Sequence, residues 1–434
     1  MHMKKLLLWV MMAMPVTVLA ETYSLERCIN TAYENSMELR RQQLTDDQKQ
    51  LLYRQAWYNL SPSVSGYVGE SLSFGRSTGV DNIIRAQNIA NTNIGVSASM
   101  VLFDGLAMKF NIDEAKASKL ASEANMEAVR RNLALNITSL YLEVLLKKEL
   151  AAVAESQVAE TEHQVERVRA RVEAQRAPAG DLYEIEAQYG KEQYQLVQSQ
   201  NNIRLSLLNL AQAMDIPFDE SFDIAVPSEE ELEGVLLPNR DEVWQTALTH
   251  RPEIREAQYT LQAEEKALKG AKSAYSPSLS AQAGVGTGYY HHIGGTNTEF
   301  GKQLSDNFST SVSINLSVPI YDRMSTPTQV KRQKLNVENA ELLLEQQKKS
   351  IRKEIDQAYY NALAAQSEKI SAQQSARHAT EAERYAAEKF ASGRATTYEY
   401  NNAKQTLMQA QSAHLQARYN YLFKVRILEY YMGL

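Results

Sequence analysis

Three groups of residues in this 434-residue chain are of types that can do chemistry: the pair His291-His292, the glycines Gly284, Gly286 and Gly288, and the single cysteine Cys28. Adjacent imidazoles suggest a metal, the glycine run imitates a phosphate loop, and a lone thiol is a candidate nucleophile. The spacing works against each. Neighbouring positions on an alternating strand point to opposite faces, so His291 and His292 do not converge on one ion and are expected at a solvent-facing loop tip. The glycines fall two apart on one strand face, where they thin a sheet wall. Cys28 sits in the helical stretch Leu25-Glu26-Arg27-Cys28, which lacks the small residues of a lipoprotein cleavage box, and is expected to be a buried thiol. None of the seven His has a nearby Ser or Cys in a recognisable nucleophile motif, and five of the 13 Met lie in the first 20 residues. The chain is therefore expected to be no enzyme and to hold no metal or cofactor.

What positions these residues is first of all export. Residues 1–20 read as a signal peptide: Lys4 and Lys5, the apolar run Leu6 to Leu19 broken by Pro15, and Val18-Leu19-Ala20 as the cleavage site. Without Lys4 and Lys5 the chain has 44 basic and 52 acidic residues, a net charge of −8, which disfavours nucleic acid as a partner. No later stretch approaches the ~18 consecutive apolar residues of a spanning helix.

The chain repeats itself once. A shift of 215 lays Glu38-Leu39-Arg40 on Glu253-Ile254-Arg255 and Ser61-Pro62-Ser63 on Ser276-Pro277-Ser278, and one of 218 lays Leu102-Phe103-Asp104 on Ile320-Tyr321-Asp322. Four segments are expected: signal peptide 1–20, first repeat 21–215, a proline-bearing acidic connector 216–240, and second repeat 241–434. Each repeat opens with a helix of about 35 residues, Leu25 to Leu60 and Asp241 to Tyr275, stopped by Ser-Pro. Strands of period two follow, from Val64 to Phe74, Ile94 to Phe103, Leu279 to Tyr289 and Phe308 to Val318, each with an apolar and a serine-rich face.

Roughly 10 to 12 residues is the length of a tilted transmembrane strand, about twice the globular norm. Phe74, Tyr289, Tyr290 and Phe308 mark one end of the set; Trp57, Tyr58, Phe103, Tyr275 and Tyr321 mark the other. The alternative is a soluble two-sheet sandwich, which the long connecting loops disfavour; if the sheet lies in a membrane, four strands cannot close a barrel and lipid tolerates no open edge, so several chains must share one.

The remaining helices are long. From Gly105 to Pro178 no Pro or Gly intervenes over about 70 residues, roughly 100 Å of helix. Ala151, Val158, Val165 and Val172, with Ala154, Thr161, Val168 and Gln175, make a heptad seam. Thr328 to Ala391 matches it, and after short breaks both helices return on partners of about 35 residues, the last with Leu407, Ala410, His414, Ala417, Tyr421, Val425 and Leu428 at alternating spacings.

Through the tandem duplication, the Ser-Pro strand starts, Leu102-Phe103-Asp104-Gly105 with Ile320-Tyr321-Asp322, the turn Phe390-Ala391-Ser392-Gly393 and the final helix ending Tyr431-Met432-Gly433, essentially the whole mature chain resembles the TolC-like outer-membrane efflux proteins. The resemblance implies a mixed α and β membrane protein of a Gram-negative cell: a homotrimer giving four strands per chain to one barrel in outer-membrane lipid, with a coiled-coil helical barrel in the periplasm. It would be the exit duct of a tripartite efflux pump, docking onto a periplasmic adaptor that serves an inner-membrane pump. A coiled-coil adaptor or a secreted structural protein, the alternatives, would lack the strands and the duplication.

The resemblance also implies site residues. The turns Arg176, Ala177, Pro178, Ala179, Gly180, Asp181 and Ser392, Gly393, Arg394, Ala395, Thr396 are expected at the adaptor-docking tip, where a bulky charge at Gly393 would abolish efflux without affecting assembly. The family places two acidic residues three apart after the second turn, lining the periplasmic gate. Here they align with Glu399 and Asn402, of which only the first is acidic. In the first repeat Tyr183 is expected opposite Glu399 and Glu184 opposite Asn402, so that Glu184 supplies the missing charge.

Overall fold

The computed structural model describes residues 22–78, 82–86, 88–227 and 236–433. The expected signal peptide and the cluster Glu229-Glu230-Glu231 lie outside the described residues. The elements run α1 (Leu25–Asn35), α2 (Met37–Tyr58), β1 (Ser63–Ser73), β2 (Arg76–Thr78), β3 (Ile84–Ala86), β4 (Ile89–Phe103), α3 (Ala107–Glu173), α4 (Ala179–Ala213), α5 (Arg240–His250), α6 (Pro252–Ser273), β5 (Ser278–His292), α7 (Phe300–Asp306), β6 (Ser309–Ser317), α8 (Ser325–Ala391) and α9 (Thr397–Met432). Helices and strand ahead of the first turn of each sheet hairpin repeat at an offset of 215, from 25, 37 and 63 to 240, 252 and 278; those after it repeat at 218, from 107 and 179 to 325 and 397. The helices and the first strand of each repeat thus carry the internal duplication.

Each expected opening helix of 35 residues is in fact two. Ser36 leaves the helical region, and its Oγ accepts the Leu39 N–H at 3.3 Å, so it caps α2. In the second repeat Pro252 opens α6, since proline can start a helix but not continue one. The helical period runs through both breaks, which is why the sequence reads as one element.

The chain forms two compact units. Of the described residues, one comprises those within 41–128 and 251–351, the other those within 22–40, 129–250 and 352–433. In the first, four antiparallel strands lie in the order β1-β4-β5-β6. β4 and β5 have 15 residues each, longer than expected, because Ile89 to Asn93 go on pairing with Gly288 to His292. His291 and His292 therefore end a strand instead of occupying a loop tip, paired with Ala90 and Ile89 on opposite faces. β6 stops at Ser317, two residues before Pro319, which has no N–H for a ladder. The short hairpin β2–β3 was not expected from the sequence.

Pairing sorts the side chains by face. Ser65, Tyr67, Asn93, Gly95, Ser97, Gln282, Gly284, Gly286, Ser311 and Ser313 stand in cross-strand rows, with no Asp, Glu, Lys or Arg among the strand residues of that face. The other face carries Val64, Val68, Ile94, Val96, Val285, Val312, Ile314 and Leu316, several of them more than 60 % exposed, and one carboxylate, Glu70, which accepts from Thr92. The glycines let Tyr67 lie flat on the polar face: a Cβ at Gly95 would meet the Tyr67 hydroxyl at 2.6 Å. β1 and β6, the outer strands, are exposed along their whole length.

Each strand-to-helix junction holds two consecutive residues in the left-handed region. Gly105 and Leu106 have φ of +71° and +72°, Arg323 and Met324 of +57° and +65°. Asp104 and Asp322 cap the helices that follow, accepting from the N–H of Met108 at 2.9 Å and of Thr326 at 2.6 Å.

The second unit is helical around Cys28, Ala32, Ile137, Tyr141, Val144, Leu210, Ile224 and Leu422. The connector is held onto it: Tyr23 bridges Ile224, the Tyr141 hydroxyl donates to the Ala225 carbonyl at 2.5 Å, and Lys148 reaches Asp223 at 2.5 Å. Among the described residues no helix is long and apolar enough to cross a membrane. Cys28 is fully buried in α1, as expected, and burial pushes its thiol up to about 11. Maleimide or Ellman-type reagents should therefore leave Cys28 unmodified at pH 8 in the native protein and label it fully in guanidinium; rapid native labelling would contradict this packing.

Candidate functional site at the hairpin ends

Both hairpin ends lie in the helical unit and are built alike. At the first, Gln175 adopts φ +56°, its N–H reaching the Val172 carbonyl at 2.9 Å while the Arg176 N–H reaches that of Arg171 at 2.8 Å. At the second, Gly393 adopts φ +70°, with its N–H on Phe390 at 3.0 Å and that of Arg394 on Lys389 at 2.8 Å. Each is a left-handed helix end that satisfies the last carbonyls. Gln175 stands where its repeat has the glycine that this conformation favours.

The helices then restart. Pro178 precedes α4 in an extended conformation without a side-chain cap, and Asp181 sits in the first turn. Thr396 precedes α9 in a capping box: its hydroxyl accepts the Glu399 N–H at 3.2 Å, and the Glu399 carboxylate accepts the Thr396 N–H at 2.9 Å. Glu399 is thus placed by helix capping. Since α4 and α9 start at 179 and 397, the offset here is 218, and Asp181, not Tyr183, stands opposite Glu399. Glu184 does stand opposite Asn402, and Tyr183 falls opposite Asn401. Glu184, Tyr183, Glu399 and Asn402 are all solvent-exposed within the chain, as are Arg176, Pro178, Ala179, Gly180, Ser392, Gly393, Arg394 and Thr396; Ala177, Asp181 and Ala395 are half-buried.

A few turns inward lies a polar cluster that sequence reasoning missed. Lys404 of α9, 5 % exposed, puts its ammonium 3.9 Å from the carboxylate of Glu192 in α4, which is 2 % exposed. The ammonium also donates to the Thr161 hydroxyl and, at 3.3 Å, to the Gln157 carbonyl in α3. Thr161 and Glu192 are hydrogen-bonded, and Gln188 donates to the other Glu192 oxygen at 2.7 Å. Alongside, Gln164 donates to the Tyr400 hydroxyl and, at 3.2 Å, to Glu160. Burial holds the Lys404 ammonium below its usual range, opposed by the charges of Glu192, Glu160 and Glu383. Burial, then Glu383 and Glu160, push the Tyr400 phenol up. The one sequence sign was Thr161, a polar residue in the heptad seam.

Between α3, α8 and α9 the cluster borders a groove of about 1000 Å³ lined by Glu160, Arg167, Arg171, Glu383, Phe390 and Tyr400. The Phe390 and Tyr400 rings stack with centroids 5.3 Å apart, and the Arg171 guanidinium lies 5.9 Å from the Phe390 centroid.

Comparison with known proteins agrees with this architecture. The chain is 23 % identical over 363 residues to the outer membrane efflux protein BepC of Brucella suis biovar 1 (strain 1330), covering 79 % of this chain and 73 % of that protein. Its fold matches CusC, a protein that forms a transmembrane channel, with TM-score 0.79, 16 % identity and coverage of 94 % and 91 % of the two chains. It matches the open state of the Neisseria gonorrhoeae MtrE outer membrane channel with TM-score 0.75, 20 % identity and coverage of 94 % and 88 %. The family model described as outer membrane efflux protein matches residues 28–215 and 243–434, one stretch for each half of the duplication. With its long hairpins and four-stranded sheet matched over nearly its whole length, this chain belongs to the outer membrane efflux protein family.

Proposed function

We propose that this outer-membrane efflux protein is the exit duct of a tripartite pump, in which three copies share one barrel of twelve strands in lipid and extend their helical hairpins into the periplasm. The observation that carries the reading is the four-stranded sheet, with one face apolar and exposed, the other uncharged and rich in serine, and both outer strands unpaired. A bilayer accepts the first face and water the second, but lipid leaves the N–H and C=O groups of the two edges without partners, which strands of another copy supply. The sheet faces specify no cargo: Ser, Asn, Gln, Gly and Tyr line the water side, so the loading pump sets the substrate.

In this reading the hairpin ends dock a periplasmic adaptor, and the exposed carboxylates of Glu399 and Glu184, three of each, form a ring of like charge at the gate. Gly393 is a poor place to test docking, because its φ of +70° strains any side chain. Gly180 is better: a Cβ there meets nothing within 4 Å, and the residue is helical. Gly180→Trp should abolish efflux and adaptor cross-linking while the detergent-extracted protein stays a trimer, and Gly180→Ala should retain both. Normal efflux by Gly180→Trp would exclude docking at this turn. A stable monomer in mild detergent would exclude the shared barrel.

A further inference from the structure

The serine-rich face of the sheet is not uniform. Tyr67, Gly95, Gly286 and Ser309 form one cross-strand row over all four strands. A Cβ at Gly95 would meet the Tyr67 hydroxyl at 2.6 Å and its ring at 2.7 Å, and one at Gly286 would meet the hydroxyl at 3.3 Å. The Tyr67 side chain therefore runs from β1 over β4 towards β5 with one ring face on a glycine floor, and at 53 % exposure it turns the other to solvent. A ring already held flat by packing is a stacking surface that loses little freedom when it is covered.

Around the ring lies a groove of about 590 Å³ lined also by Asn93, Ser97, Gln282, Tyr290 and Ser311. Asn93 and Ser97 stand on β4 two residues to either side of Gly95, about 7 Å along the strand from the row of the ring. A charged solute gains nothing here, since no Asp, Glu, Lys or Arg stands among the strand residues of this face. A sugar ring matches both parts. Its C–H bonds carry a slight positive charge that suits the negative face of an aromatic ring, and its rim of hydroxyls donates and accepts as amides and serines do. A flat aromatic solute would use the tyrosine and leave the amides to water.

We propose that Tyr67 is the platform of a saccharide site on this face, with a sugar ring stacked on the phenol and its hydroxyls reaching Asn93, Ser97 and Ser311; this rests on the reading that the face lines a water-filled barrel. A second ring, Tyr290, stands on the same face four residues beyond Gly286, roughly 13 Å along β5. Its backbone is held from both sides by Gln303, which accepts the Tyr290 N–H at 2.9 Å and donates to the Tyr290 carbonyl at 3.1 Å. An oligosaccharide long enough to reach both rings therefore binds better than a single sugar. Such a site holds a passing molecule weakly and does not choose the cargo, which the loading pump sets.

Block of ion current by maltohexaose tests this in the purified mature trimer in a planar bilayer. Polyethylene glycol of the same mass is the control, a neutral chain without ring faces. Maltohexaose should lower the wild-type conductance saturably and at lower concentration than glucose, while polyethylene glycol should lower it only in proportion to the conductivity of the solution. Tyr67→Ser or, where that trimer does not assemble, Tyr67→Thr should raise the half-blocking concentration of maltohexaose about tenfold, the loss expected when one stacked aromatic partner is removed. Tyr67→Phe, which keeps the ring, should be blocked like wild type. Equal block of wild type and the ring-less variant, or no saturable block of wild type, overturns the site. Block by phenol and not by maltohexaose overturns the saccharide as its ligand. A trimer that forms no channel overturns the water-filled barrel, and the site with it.

Discussion

Replacing Glu192 by leucine is expected to destabilise the helix hairpins by about 3–5 kcal/mol, because it leaves the Lys404 ammonium buried without its counter-charge. The carboxylate is 2 % exposed and the ammonium 5 %, so water does not take over the lost interaction. Thr161 and the Gln157 carbonyl still accept from Lys404, but neither bears charge. Glu192→Leu combined with Lys404→Met should recover most of the loss, since an apolar pair of similar volume fits such a site about as well as the ion pair. Thermal unfolding followed by circular dichroism would rank the variants.

The pH dependence has a definite sign. Lys404 binds its proton less tightly folded than unfolded, so between its lowered folded value and the ordinary lysine value the unfolded chain carries more protons. Stability in that window rises with pH. Loss of Glu192 removes the leading charge that opposes the shift and extends the window downward, so Glu192→Leu should regain stability more steeply than wild type as pH approaches 10. Equal melting of Glu192→Leu and the double variant would show that the unpaired Lys404 ammonium is not what destabilises the single variant.

The second large effect is expected at Gly105. An alanine there would set its Cβ 2.5 Å from the Ser276 Cβ and 2.7 Å from the Ser273 carbonyl oxygen, at φ +71°. The backbone penalty is about 1–2 kcal/mol, and crowding against atoms that cannot swing away adds about 1–3 kcal/mol. Arg323, its repeat, holds φ +57° with a full side chain, so the conformation alone is tolerable. Gly105→Ala should therefore sharply reduce the oligomer that survives unheated gel electrophoresis. Arg323→Gly, which relieves the same backbone, should leave it unchanged or increase it. Undiminished oligomer from Gly105→Ala would contradict the close approach of this junction to the Ser-Pro turn.

Much of this architecture is legible in the sequence because its causes are local. Alternation in Phe308 to Val318, the heptads around Val165 and the Ser-Pro stops each bear on one element, and the duplication states most of them twice. Features resting on contacts distant in the chain were not legible. Lys404 meets Thr161 and Glu192 from hundreds of residues away, and nothing next to it in sequence distinguishes it from a solvated lysine. The break at Ser36 is a cap inside an otherwise continuous helical period, and the first residues of β4, Ile89 to Asn93, are strand because they pair with Gly288 to His292 across the sheet. Of the residues expected at the gate, Glu399 had a local sign, Thr396-Thr397-Tyr398-Glu399, the pattern of a capping box. The offset that sets Asp181 opposite it became clear only from where α4 and α9 begin.

That copies of this chain enclose one water-filled pore is tested most directly by single-channel recording of the purified mature trimer in a planar lipid bilayer. Discrete conductance steps are expected, with a preference for cations that falls in the Glu184→Gln/Glu399→Gln variant as the ring of carboxylates is lost. A trimer that inserts into the bilayer without raising its conductance above that of bare lipid would contradict the shared pore.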